Sequence, residues 1–161
     1  MADWVLIVSI ARQEMDVYHF EEHVETLPIS TSKKPPSCIE NSFGTPWGLH
    51  EICEKIGDHE PSGMVFKGRK AIGACFQELS KEENGKNLIT SRILRLSGLE
   101  PGLNQGGNCD TYNRYVYIHG TNQEDKIGSP ASAGCVQMYN ADIIRLFPIL
   151  PEKTMLWIDR S

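Results

Sequence analysis

The sequence predicts a mainly β fold with one substantial helix, on three observations. Apolar residues recur at period two in several short runs, the mark of half-buried strands. Stretches bearing many of the 14 Gly and 9 Pro separate those runs. Apolar residues at helical spacing stand out in one place, near the C-terminus. The 161 residues suit one domain, 1–161, with room for a real core.

Trp4 to Ile10 is rich in β-formers and sets Val5, Ile7 and Ser9 on one face. Gln13, Met15, Val17 and His19 then alternate with Glu14, Asp16 and Tyr18. Val24 to Ile29 pairs back through a turn at Phe20 to His23, so an antiparallel meander opens the chain. Ser30 to Phe43 holds Lys33, Lys34, Pro35 and Pro36 without periodicity and reads as a loop. Thr45 to Gly48 forms a tight turn, and Leu49 to Ile56 alternates as a strand. Pro61 to Gly73 reads as a Gly-rich loop and Gln77 to Lys86 as a polar surface connection. Leu88 to Leu96 resumes as a strand, and Pro101 to Asn108 is again a loop. Tyr115 to Ile118 is a short strand that ends in His119-Gly120. Asn140 reads as the N-cap of a helix, with Asp142 in its first turn. Ile143, Ile144, Phe147 and Leu150 form that helix's apolar face, and Pro148 limits its length. Thr154 to Ile158 closes the chain as a strand.

The net charge of −5 argues against a nucleic-acid partner, because phosphate affinity needs clustered Lys and Arg. The nearest cluster, Lys67, Arg69 and Lys70, reads as a solvated turn. The longest apolar run, Trp4 to Val8, is far below the ~20 residues of a membrane span, and it lacks the flanks of a signal peptide. The 5 cysteines include no CxxC pair, and His50 and His59 have no partner at metal spacing. Neither a metal nor a cofactor is expected. An odd number of cysteines leaves at least one thiol without an intramolecular disulfide partner.

The segment from His119 to Met138 carries the chemistry. His119 ends a strand, and Cys135 follows sixteen residues later, led by Ser132, Ala133 and Gly134. A thiol acyl-transfer site needs a nucleophile, a base and an oxyanion pocket. Cys135 and His119 supply the first two. The amides of Gly134 and Cys135 are candidates for the third. The helix start near Asn140 and a protonated His119 would both favour the thiolate. A cysteine is more often a small buried hydrophobe, and Cys38, Cys53, Cys75 and Cys109 are read that way.

His119-Gly120-Thr121, Ile127-Gly128, Pro130, Ser132, Gly134-Cys135-Val136 and Met138 resemble the signature of the L,D-transpeptidase (YkuD-type) catalytic domain. Gln13, Ser30 to Ser32, Thr45 to Gly48, Gly68-Arg69, Arg92 to Leu94, Arg114 to Tyr117 and Asn140 to Asp142 extend the resemblance along the chain. It implies a β-sandwich or open barrel of mixed strands, with the helix after the cysteine. It also implies a cysteine acyltransferase acting on peptidoglycan stem peptides. Cys135 would attack the bond between meso-diaminopimelate and D-alanine, and the thioester would pass to an amine. His119 would be the base, oriented by the Gly120 carbonyl. Peptidoglycan, possible transfer to an envelope lipoprotein, capture of a carbapenem and a periplasmic or envelope location follow from the same resemblance.

Two positions depart from the family pattern. Ala133 stands where the family has His, and Gln137 where it has Arg. Arg114 and Arg92 are the candidates to replace that Arg. Trp47 and Ser132 are further candidates for the substrate site. The shape of the acceptor side leaves no mark in the sequence, which keeps open an L,D-carboxypeptidase or cross-link-remodelling hydrolase, and the two departures keep open a catalytically impaired peptidoglycan-binding module.

Overall fold

The computed structural model describes residues 3–161. β1 (Trp4–Ser9), β2 (Glu14–His19) and β3 (Glu22–Pro28) form the expected antiparallel meander. Their alternation is faithful because one face is covered, so Met15 and Val17 are fully buried while their neighbours are not. The β2–β3 turn places both Phe20 and Glu21 at positive φ, 49° and 71°. This two-residue geometry suits the strand twist but usually recruits Gly or Asn.

β4 (Gly48–Ile56) and β7 (Ile89–Gly98) follow the sequence reading. The segment Pro61 to Gly73 does not. It contains β5 (Met64–Lys67), which pairs with β6 (Lys70–Cys75) across a Gly68–Arg69 turn. Met64, Val65 and Phe66 are buried in succession, so no alternation marked the strand. Within the polar connection lies α1 (Lys81–Asn84), whose N-cap Ser80 accepts from the Glu83 N–H at 3.1 Å. β8 (Tyr117–Thr121), the three-residue β9 (Val136–Met138), α2 (Asn140–Leu146) and β10 (Met155–Asp159) complete the described elements.

The meander does not extend through the fold. β1 pairs in parallel with β10, and β8 in parallel with β9, so the sheet is mixed. Its order runs β3-β2-β1-β10-β4-β7-β5-β6, with β8 on β7 and β9 on β8. β7 is the hub, and nearly all its residues are buried. One face of the β7–β8–β9 region joins the main core: Leu94, Leu96, Ile118, Val136 and Met138 meet Ile143, Leu146, Phe147 and Leu150. The opposite face carries a smaller cluster of Met64, Phe66, Ile93 and Tyr117, with Cys135 packed against it.

Two buried histidines make the fold acid-sensitive. His50 is fully buried, with Nδ1 3.0 Å from the Gly48 carbonyl and Nε2 3.0 Å from Thr111 Oγ1. Burial pushes its pKa down to about 4, as it does for His119. The unfolded chain therefore binds more protons between pH ~4 and ~6.5, and stability rises with pH across that window. The contribution is fully present above pH ~6.5 and is lost as pH falls toward ~4. Thermal unfolding should show the melting temperature dropping from pH 7 to 4.5, less steeply for His50→Gln. A wild-type melting temperature flat over this range would contradict the assignment.

Candidate active site

The parallel register of β8 and β9 assembles the site. Ile118 lies opposite Val136, and His119 opposite Gln137. Ile118 and Val136 turn into the main core, so Tyr117, His119, Cys135 and Gln137 share the other face. The strand-end His and the Gly-Cys turn come to one face because β8 carries His119 and Cys135 immediately precedes its parallel neighbour β9.

His119 is only 3% exposed. Its Nδ1 lies 2.5 Å from the Gly120 carbonyl oxygen. A carbonyl can only accept, so Nδ1 holds the proton of the neutral ring and Nε2 keeps its lone pair. Burial, opposed by this hydrogen bond, pushes the His119 pKa down to about 4. Cys135 is half-buried. Its Sγ accepts from the Tyr117 N–H at 3.3 Å and donates to the Tyr115 carbonyl at 3.6 Å. Burial pushes the thiol up to about 11, against the smaller pull of the Tyr117 N–H and the Arg114 charge.

This reverses the thiolate expectation. Both groups are desolvated, so each favours its neutral form. The helix start does not help, because α2 packs on the main-core face and its Asn140 N–H donates to the Glu124 carboxylate at 2.8 Å. The resting site holds a thiol and a neutral imidazole on one face of the sheet.

The turn before Cys135 corrects a second expectation. The Gly134 N–H donates to Ser132 Oγ at 3.1 Å, while that hydroxyl donates to the Cys135 carbonyl at 2.6 Å. Gly134 is therefore not a free oxyanion donor. The Cys135 N–H has no partner among the described residues. Gly134 has φ +131°, a conformation that L side chains rarely adopt. Thr45 Oγ1 donates to the Gly134 carbonyl at 3.0 Å and fixes the turn.

A cavity of about 330 Å³ opens beside the turn, lined in part by Glu40, Asn41, Phe43, Arg114, Tyr115 and Ala133. The exposed Ala133 puts only a methyl on its wall. Arg114 donates to the Ser37 carbonyl at 3.0 Å, to Ser42 Oγ at 3.3 Å and to the Gly44 carbonyl at 2.7 Å. It both lines the cavity and ties down the Ser37–Gly44 loop. It has no carboxylate partner among the described residues. Burial pushes its pKa down, opposed by Cys38 and Cys135.

Three sequence candidates sit elsewhere or act differently. Arg92 is buried, donating to the Glu60 and Ser91 carbonyls at 2.8 and 2.7 Å, 5.5 Å from the Phe147 ring. It braces the β7 backbone and does not line the cavity. Trp47 packs against the main core, with Arg160 at 4.4 Å over its ring. Gln137 is on the site's face but buried, and its amide donates to Asn87 Oδ1 at 2.6 Å. A neutral amide pair thus replaces a cation there.

Sequence reasoning missed the Tyr117 N–H, because backbone donors leave no residue signature. Asn140 is not the N-cap that its residue type suggests. Tyr139 is the cap, and the Asn140 side chain points back to the sheet. Gly120 is required by that side chain. A Cβ at Gly120 would lie 2.5 Å from Asn140 Oδ1 and 2.7 Å from the Thr90 carbonyl oxygen. Gly120→Ala should lower stability by about 3 kcal/mol in denaturant unfolding. An unchanged midpoint would contradict this packing.

A family model described as the L,D-transpeptidase catalytic domain, YkuD, matches residues 3–158. The chain belongs to the YkuD family. Within this family, the YkuD protein of Bacillus subtilis (strain 168) is 39% identical over 62 residues, 35% of this chain and 38% of that protein. The YqjB protein of the same organism is 40% identical over 48 residues, 30% and 27% of the two chains. Among solved structures, an L,D-transpeptidase from Mycobacterium smegmatis superposes with a TM-score of 0.61 at 17% identity, covering 98% of this chain and 59% of that one. L,D-transpeptidase 3 from Mycobacterium tuberculosis, in complex with a faropenem-derived adduct, gives 0.61 at 11% identity, covering 99% and 61%. At these identities the structures speak for the fold alone. The YkuD-family chain spans about three-fifths of their length. No helix among the described residues is long and apolar enough to cross a membrane.

Proposed function

We propose that this YkuD-family chain is a cysteine acyltransferase acting on peptidoglycan stem peptides at the cell envelope. The observation that carries the reading is a buried imidazole on β8 and a thiol just ahead of β9 on the same face, with the imidazole's Nε2 unpartnered among the described residues. Family membership supplies the substrate class.

In this reading Cys135 Sγ attacks the carbonyl carbon between meso-diaminopimelate and the terminal D-alanine. His119 Nε2 takes the thiol proton as the S–C bond forms. The Cys135 N–H donates to the developing oxyanion. The C–N bond breaks, His119 returns the proton to the departing D-alanine amine, and a thioester remains. An acceptor amine on a second stem, or on an envelope lipoprotein, attacks that thioester and gives His119 a proton. The S–C bond breaks and Sγ recovers the proton. Water in place of the amine gives carboxypeptidase action. Arg114 is the cation on the cavity wall available to a substrate carboxylate, although its existing bonds tie it to the loop.

The neutral Gln137–Asn87 pair and the bare Ala133 wall favour a second reading, a peptidoglycan-binding module with an impaired site. One assay separates these readings. The chain is incubated with a tetrapeptide stem ending in meso-diaminopimelate–D-alanine, with and without a second stem as amine acceptor, and products are read by mass. Released D-alanine with a cross-linked dimer supports transpeptidation. D-Alanine with only the tripeptide indicates the carboxypeptidase. Binding without D-alanine release overturns the enzyme reading.

A further inference from the structure

We infer that Asn140 is a positioning residue that fixes the His119 imidazole by clamping the peptide that holds it from the opposite face of β8. The inference rests on the reading of His119 as the general base. A substituent on Gly120 would point at Asn140 Oδ1, 2.5 Å away. Successive residues of a strand point to opposite faces. Asn140 therefore lies beneath Gly120, while the His119 ring stands above.

The clamp has three arms. Asn140 Oδ1 accepts from Thr90 Oγ1 at 2.6 Å and from Ser91 Oγ at 2.5 Å. Asn140 Nδ2 donates to the Thr121 carbonyl at 2.9 Å. The Asn140 N–H donates to the Glu124 carboxylate at 2.8 Å. Gly120 is thus held at its Cα by close packing and at the following residue by a hydrogen bond. Its own carbonyl, the acceptor for His119 Nδ1, lies between these two anchors.

The choice of residue has a chemical reason. Two hydroxyl donors need an acceptor, and the Thr121 carbonyl needs a donor, on one short side chain. Only an amide offers both at neutral pH at this length. Asn140 is 5% exposed, so water is a poor substitute. The clamp also spans the irregularity in β7, where Ser91 takes φ +70° and the β7–β8 register shifts between Thr90 and Ile93. Without Asn140, the Gly120 peptide keeps its strand pairing to Thr90 and Met138 but loses the anchor beneath it, and the shift of its carbonyl weakens the bond by which Nδ1 selects its tautomer. The proton can then move to Nε2, which removes the lone pair facing the thiol's side of the sheet.

The test uses the intact chain, with imipenem as the acylating probe. Asn140→Ala and Thr90→Val are compared with wild type. The His119 ring is read by ¹⁵N NMR for its tautomer. Acylation is read as a maximal rate and a half-saturating concentration. For Asn140→Ala the expected result is a mixture of His119 tautomers and a fall of about 10²-fold in maximal rate. The half-saturating concentration should stay within about twofold. Thr90→Val should shift both readouts in the same direction by less, and it decides the matter if Asn140→Ala does not fold. A folded variant that keeps the single Nδ1–H tautomer overturns the inference, whatever its melting temperature. Failure of wild type to form an adduct would instead count against the acyltransferase reading, because the tautomer readout needs no adduct.

Discussion

Replacing His119 by alanine should slow acylation of Cys135 by about 10²–10⁴-fold at pH 7, the range that a positioned general base contributes. The effect is large because the resting thiol is fully protonated. Burial pushes its pKa up to about 11, so Cys135 rests as the thiol at pH 7. Attack then depends on removing the proton as the new bond forms, and His119 Nε2 is the acceptor on the correct face. His119→Gln keeps hydrogen-bonding capacity but not basicity, so it should be as slow as His119→Ala. Imipenem acylation followed by intact mass reads both variants. A loss of less than tenfold for His119→Ala would mean that Cys135 is activated by something other than this imidazole.

The pH dependence of acylation is the second large effect, and its sign follows from the two shifts. The active pair is neutral imidazole with neutral thiol. It is populated above the His119 pKa of about 4 and below the Cys135 pKa of about 11. The rate should be flat from about pH 5 to 10 and fall about tenfold per unit below pH ~4, where His119 Nε2 carries a proton. Thiolate absorbance near 240 nm, taken as the difference between wild type and Cys135→Ala, should be absent at pH 7 and emerge only toward pH ~11. Alkylation of Cys135 by a small reagent should likewise be slow at neutral pH while imipenem acylation is not. A thiolate band present at pH 7 and lost near pH 5 would contradict the neutral pair.

Much of the fold is legible in the sequence, while the charge state of the site is not. The β1–β3 meander was legible because one covered face makes Met15 and Val17 alternate with polar neighbours. The β5–β6 hairpin was not, because three consecutive residues are buried and the pattern disappears. The Phe20–Glu21 turn lacks the Gly or Asn that normally marks its geometry. The pairing of His119 with Cys135 was visible as a strand-end His and a Gly-Cys turn at a family spacing. The charge state of the pair was not, because desolvation depends on what packs over it. The same holds for the oxyanion donors. Gly134 supplies the turn, but its N–H is already bound by Ser132. Asn140 begins a helix in sequence, and caps and buried clamps draw on the same residue type. Arg92 and Arg114 look alike as letters, and only the fold separates a brace within β7 from a cation on the cavity wall.

Cys135 is proposed as a working nucleophile although Ala133 and Gln137 stand beside it. The most direct measurement is the intact mass of the chain after incubation with imipenem at pH 7, beside Cys135→Ala. One stable adduct is expected on the parent and none on the variant. An unmodified parent, or an adduct that persists in Cys135→Ala, would contradict it.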